Sequence, residues 1–227
     1  MKIAIHQPQY LPWLGYFDKM DMADCFVLLD DVQFKKNEWQ NRNKIRTAEE
    51  WQWLTVPVMY KFGERINEVK IDNHRDWREK HLKSIELNYA RAPYFGEYFP
   101  VLKDVLSEQW ELLEGVNTFF IKRLKDILGI KTKLVMSSSL TAKSSGTERL
   151  VEICAALGAD TYISGAGGKD YLEEKFFEEN GIELEYQQYE HPKYAQVYEG
   201  FCPFMSVIDL LFCKGSESLK IIRGGRK

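Results

Sequence analysis

The chain has 227 residues, 44% hydrophobic and 29% charged, a composition that excludes general disorder and supplies a large buried core. Its formal net charge of −3 argues against nucleic-acid binding through bulk charge, while leaving a local basic groove open. Aromatic residues make up 14%, enough for a large core and for pockets that take planar or sugar-like ligands.

KIAI, followed by His6, predicts a short buried strand from residue 2. LPWLGYFDKMDMA predicts a loop running into a helix, with Trp13, Phe17 and Met20 at helical spacing. CFVLLDD predicts a second buried strand with Asp30 and Asp31 at its carboxyl end. This strand–helix–strand order is the unit of a parallel sheet with a right-handed crossover. Residues 34–50 are polar and read as a loop or hairpin limb. WQWLTVPV and INEVKID follow as two strands, with a turn over 61–64. Residues 74–90 and 94–107 carry helical periodicity, and ELLEGVNTFFIKRLKDILGI is an amphipathic helix that should end at Gly129 in a left-handed cap.

A second α/β half comes next. KTKLVMSSS, DTYISG and IELEYQQY read as strands; GTERLVEICAALGA, KDYLEEKFFEENG and FMSVIDLLFCKG read as helices. The expected fold is α/β: an open, mostly parallel sheet flanked by helices, with a core from 1–73 and 129–227 and a helical insertion over 74–128.

In such a sheet ligands bind beyond the carboxyl ends of the strands. That rule gathers His6, Gln7, Asp30, Asp31, Ser137–Ser139, Ser164 and Gly165 at one edge. Ser164-Gly-Ala-Gly-Gly leads from a strand towards a helix. It is either a phosphate cradle assisted by Lys169 or a tight turn. Arg149 falls in the first turn of a helix, against the dipole, which favours a nearby anion. Gln33, Lys35, Trp39, Asn41, Arg42 and Asn43 place amides, cations and an aromatic ring within one short stretch. They suit sugar hydroxyls, an amino-acid group or RNA, or else a solvated loop. None of the four histidines has metal-ligand spacing and no GxSxG elbow is present. The four cysteines lack CxxC spacing and read as buried free thiols. The absence of a signal-like N-terminus and of an apolar run near the ~20 residues of a membrane span gives a cytoplasmic expectation without membrane contact.

HQPQYLPWLGYF, DDVQFKKNEWQNRN, KHLKSIELNYARAPYF, GTERLVEICAALGADTYISG, HPKYAQ and SVIDLLF together resemble the WbqC-like family over nearly the whole chain. Members occur in bacterial polysaccharide and O-antigen gene clusters. The resemblance implies an enzyme that adds glycine or another small acyl unit to the amino group of a nucleotide-linked amino sugar. The opening strand and loop are also distantly similar to HxGH adenylating enzymes such as pantothenate synthetase, which implies a HUP-like nucleotide-binding sheet and ATP with Mg²⁺. The chain departs from that signature, with Tyr16 where the second histidine would fall.

Under the ATP reading, His6 and Gln7 contact phosphate and Tyr10 and Trp13 wall the pocket. Lys35, Arg42, Arg149 and Lys169 neutralise charge, and Asp30 or Asp31 binds Mg²⁺ or the incoming amine. His6, Asp31 or His191 acts as general base. The matched motifs add Lys80, His81, Asn88, Tyr89, Tyr194 and Gln196 as substrate- or nucleotide-binding candidates. Two alternatives stand beside this reading: a transferase fed by aminoacyl-tRNA or a carrier thioester, and a non-catalytic sugar-nucleotide-binding module.

Overall fold

The computed structural model describes all residues, 1–227. In chain order it runs β1 (Lys2–His6), α1 (Leu14–Asp21), β2 (Cys25–Leu28), β3 (Arg42–Arg46), β4 (Trp51–Thr55), β5 (Val58–Met59) and β6 (Lys70–Ile71). Three helices follow, α2 (Trp77–Tyr89), α3 (Phe95–Ser107) and α4 (Leu113–Leu128). The chain then continues through β7 (Lys133–Met136), α5 (Gly146–Leu157), β8 (Thr161–Ser164), α6 (Glu174–Glu179), β9 (Glu183–Tyr186), α7 (Val207–Lys214) and α8 (Ser218–Arg223).

Five strands form one parallel sheet in the order β7-β2-β1-β8-β9. The fold is the α/β open sheet read from the alternation of strand and helix signals. Side chains alternate between its faces, and both faces are covered. Ala4, Phe26, Leu28 and Ile163 enter a core of 40 buried residues built with α1, the hairpins, α2–α4 and α7. Ile3, Ile5, Cys25, Val27 and Tyr162 point the other way, into a 13-residue core under α5 and α6. Burial on both faces explains why these strands read as continuous apolar runs. No helix is long and apolar enough to cross a membrane.

The α4 helix ends as expected, with Gly129 left-handed at φ 76°. Three elements differ from expectation. WQWLTVPV is not one strand: it is broken at Val56-Pro57 into β4 and β5, which pair with β3 and β6 in separate hairpins. INEVKID is mostly a 3-10 turn, Ile66–Glu68, and only Lys70–Ile71 pairs as strand, because Val69 and Ile71 turn their backbone to Leu113 and Glu111 at the start of α4. KDYLEEKFFEENG opens as a 3-10 turn, Ala166–Asp170, and is α-helical only over Glu174–Glu179. Gly167 and Gly168 disfavour a helix there, and Leu172 is drawn into the smaller core.

The proline-bracketed loop after β1 is clamped on all sides. The Tyr10 N–H donates to the Trp39 carbonyl at 3.0 Å and the Val207 N–H to the Pro12 carbonyl at 2.9 Å. The buried Asn43 amide donates to the Leu11 carbonyl at 2.7 Å and the Tyr10 carbonyl at 3.3 Å, and Asn117 reaches Pro8 and Gln40. These bonds hold Leu11 at φ 45°, a left-handed conformation that a leucine adopts only when its surroundings impose it. Trp13 lies flat over Gly15, where a Cβ would sit 2.2 Å from the indole ring.

Candidate functional site

Successive crossovers carry the chain from β1 to β2 and β7 on one side, then back across to β8 and β9 on the other. The direction therefore reverses between β1 and β8, and a crevice is expected beyond their carboxyl ends. A cavity of about 380 Å³ lies there, bounded by His6, Gln7 and Lys19 on the β1–α1 side and by Ser164, Gly165 and Gly168 on the β8 side.

Lys19 is the unusual residue. It is 3% exposed, on the last turn of α1, and its ammonium donates to the Ile5 carbonyl at 3.1 Å. Its neighbours in sequence, Asp18 and Asp21, are engaged by Arg226 and Arg223. Burial pushes the Lys19 amine down to about 7, with no carboxylate offsetting the cost. The His6 imidazole is pushed well below its usual range by burial first and by the Lys19 charge second, so it is neutral at pH 7. The Gln9 amide nitrogen stands 3.3 Å from His6 Nε2, which assigns the ring proton to Nδ1. That Nδ1–H is buried and meets no acceptor. An ammonium without a counter-ion and a buried imidazole N–H without an acceptor, both on residues that line the cavity, are donors for an anion.

The glycine loop forms the opposite wall. Gly168 is required by packing, since a Cβ there would lie 2.1 Å from Ser164 Oγ and 2.9 Å from Leu172. A Cβ on Gly165 would approach Lys19 Nζ at 4.0 Å and one on Gly167 would meet nothing within 4 Å, so the loop backbone is open to a ligand. Lys169 points away from a cradle position, its ammonium 5.2 Å from the Tyr186 ring centroid.

Asp30 and Asp31 are occupied by the protein itself. Asp30 Oδ1 accepts from the Ser138 N–H and the Ser137 hydroxyl, each at 2.9 Å, and Oδ2 accepts from Asn67 at 3.2 Å. These bonds tie the end of β2 to the end of β7. Asp31 pairs with Arg149 at 2.5 Å. The anion that Arg149 calls for is thus Asp31, and both carboxylates already bond within the protein. No group of three or more His, Cys, Asp or Glu side chains gathers to hold a metal.

The remaining expected residues are scattered over the molecule. Gln7 stays on the crevice, its Oε1 accepting from Gln40 at 2.7 Å. Asn41, Lys80 and His81 line a different cavity, and Tyr10 is wholly buried beneath it with its hydroxyl 2.8 Å from His81 Nδ1. Trp39 and Arg42 belong to an outer face of the β3–β4 hairpin, where the Arg42 guanidinium stacks 4.1 Å from the Trp53 ring centroid. Lys35 and Gln33 are exposed outside the crevice lining, Gln33 bridging to Arg65, and Asn43 is the loop clamp.

Tyr89, Tyr194 and Gln196 converge on a carboxylate the sequence did not single out. Asp209 on α7 is 0% exposed and accepts from their side chains at 2.7, 2.6 and 2.9 Å. Asn88 bonds back to the Ser84 carbonyl at 2.8 Å. His191 and Trp13 stack on each other with ring centroids 6.2 Å apart, outside the crevice lining. These side chains hold the fold.

Lys19 and Gln9 were not among the residues expected at the site. One signal existed for Lys19: a lysine at helical spacing from Tyr16 lies within an otherwise apolar stripe.

The WbqC-like protein family model matches residues 7–221. The "Uncharacterized protein Rv1507c" of Mycobacterium tuberculosis is 37% identical over 226 residues, covering 98% of this chain and 97% of that protein. No solved structure matches the chain. The family match begins just after β1 and takes in every element from α1 to α7, and the chain belongs to the WbqC-like protein family.

Proposed function

We propose that the chain is an enzyme that joins glycine or a similar small acyl unit to the amino group of a nucleotide-linked amino sugar, and that the β1/β8 crevice binds the phosphates of that substrate. The observation that carries the reading is Lys19: a buried ammonium without a carboxylate, beside an imidazole N–H without an acceptor, facing an open glycine loop. A phosphate there restores the charged form of Lys19, accepts from His6 Nδ1 and comes close to the loop backbone. The amino-sugar acceptor and the glycyl unit follow from the motif resemblance.

A carboxylate does not acylate an amine unaided, so the donor arrives activated, by ATP or as a thioester or aminoacyl ester. The acceptor nitrogen attacks the acyl carbon and the C–N bond forms. The bond to the activating group breaks, its electron pair leaving with that group, and the proton lost by nitrogen needs a base. Of the three bases expected, only His6 lines the crevice. Asp31 is held by Arg149, and His191 packs against Trp13. His6 enters neutral with its Nδ1–H turned to the phosphate; Nε2 is its basic nitrogen and takes the proton on releasing the Gln9 amide, and the phosphate offsets the imidazolium that forms.

An aminoacyl-tRNA donor is favoured by one feature. Trp51 and Trp53 alternate with Lys44 and Arg42 on the outer face of the β3–β4 hairpin, a combination that stacks bases and neutralises phosphate.

The test is mass spectrometry of purified protein with a nucleoside-diphosphate amino sugar, glycine, ATP and Mg²⁺. A product heavier by one glycyl unit, with AMP released and both lost in Lys19→Met, is the expected result. Full turnover in Lys19→Met and His6→Ala overturns the assignment of the crevice.

A further inference from the structure

A second cavity of about 380 Å³ shares no lining residue with the crevice. It lies between the 36–41 segment, the β4–β5 connection and the first turn of α2. Its charge is out of keeping with a chain of net charge −3: Lys36, Arg75 and Lys80 line it, against Asp72 alone.

Little within the protein uses that positive charge. Arg75 meets Asp72 through Nε at 3.1 Å, which leaves its two terminal nitrogens for a bidentate partner. Lys36 has only the Tyr60 ring nearby, its ammonium 5.6 Å from the centroid, and Lys80 has no carboxylate partner. The α2 N-terminus is not capped by the Asp76 side chain, and its dipole adds positive potential.

The floor is rigid and neutral. His81 is 95% buried, between the Tyr10 hydroxyl at 2.8 Å and the Thr55 carbonyl at 3.2 Å, and burial pushes its imidazole down to about 4. Asn41 is held by the Val56 carbonyl at 3.0 Å and the Asn37 N–H at 3.0 Å. These bonds fix the floor groups in place, which lowers the ordering cost of binding.

We infer that this cavity is a second ligand site, one that binds the carboxylate or phosphate group of a sugar-sized anion. The volume suits one small molecule, the Arg75 fork and the two lysines suit an oxyanion, and the mostly polar walls suit a hydroxylated body. The inference holds whichever ligand the crevice takes.

Glucuronate, glucose 6-phosphate and neutral glucose are the probes. Each is titrated into ¹⁵N-labelled protein at pH 7 and matched ionic strength. The readout is the Trp77 indole resonance, identified by its absence in Trp77→Phe. The expected result is saturable movement of that resonance with one or both anions, none with glucose, and at least tenfold weaker binding in Arg75→Ala/Lys80→Ala. Which anion binds separates a carboxylate ligand from a phosphate ester. Both substitutions lie at the exposed rim and leave the core intact. In Lys19→Met the second site should bind unchanged, which separates its fate from that of the crevice. Unmoved Trp77 with both anions, equal response to glucose, or unchanged affinity in the double variant overturns the inference.

Discussion

Replacing Lys19 with methionine tests the central electrostatic claim without any substrate. Holding the amine at about 7 rather than its usual 10.5 costs its protonated form roughly 4–5 kcal/mol. The unfolded chain therefore binds more protons than the native one between about pH 7 and 10.5, and stability rises with pH across that window. Below about 7 both states are protonated and the full penalty stands. Methionine fills a similar volume and carries no charge. It forfeits the bond to the Ile5 carbonyl, worth about 1 kcal/mol. Lys19→Met should thus be more stable than the parent by about 2–4 kcal/mol at pH 6, with the gain shrinking towards pH 9. Urea denaturation at both pH values measures this. A variant that is destabilised equally at both would show that the Lys19 amine is solvated or paired, and the anion argument would fall with it.

Other expectations follow from named contacts. Asp209→Ala leaves the buried Tyr89 and Tyr194 hydroxyls without their acceptor and removes one of the two bonds of the Gln196 amide, and should cost about 3–5 kcal/mol in urea denaturation. Asn43→Ala releases the Leu11 and Tyr10 carbonyls and should cost about 1–3 kcal/mol, with faster amide exchange confined to residues 8–13 if the clamp is local. Gly168→Ala drives a methyl into Ser164 Oγ and should lower stability by about 1–3 kcal/mol, with partial recovery in Gly168→Ala/Ser164→Gly; no recovery would place the clash elsewhere. The folded His81 imidazole sits at about 4, below its unfolded value, so stability should fall as pH drops from about 6.5 to 4, and His81→Gln should flatten that slope.

The parallel sheet was legible because doubly buried strands leave uninterrupted apolar runs, as CFVL does, and because CFVL and KIAI are joined by one amphipathic helix. The strand-end rule then put His6, Gln7, Ser164 and Gly165 on one edge. It did not separate ligand-facing groups from latches. Asp30 and His6 both stand at the ends of apolar strands, and only the Ser137 and Ser138 donors, 107 and 108 residues away, make Asp30 a latch. Tyr89, Tyr194 and Gln196 had no sequence signal of their shared partner, because Asp209 lies in the apolar run SVIDLLF and looks like a lone helix-surface acid. Lys19 was masked for the opposite reason: DKMD reads as a solvated helix end, and its amine is enclosed by groups that the sheet brings to α1, the Ile5 carbonyl, the Phe26 ring and the Gly165 backbone.

The opening loop has a consequence for how the two cavities relate. His6 and Gln7 face the crevice, Gln40 bonds to Gln7, the next residue, Asn41, lines the second cavity, and Tyr10 supports His81 beneath it. One hydrogen-bonded layer, residues 6–11 against 39–43, is therefore a wall of both. Its strained Leu11 and its asparagine clamps fix the spacing between them. A flexible layer would let ligands in the two cavities bind independently of distance. A rigid one holds the two cavities at a set separation whatever occupies them. The strain at Leu11 belongs to that arrangement, since a relaxed loop would shift Tyr10 and His6 together.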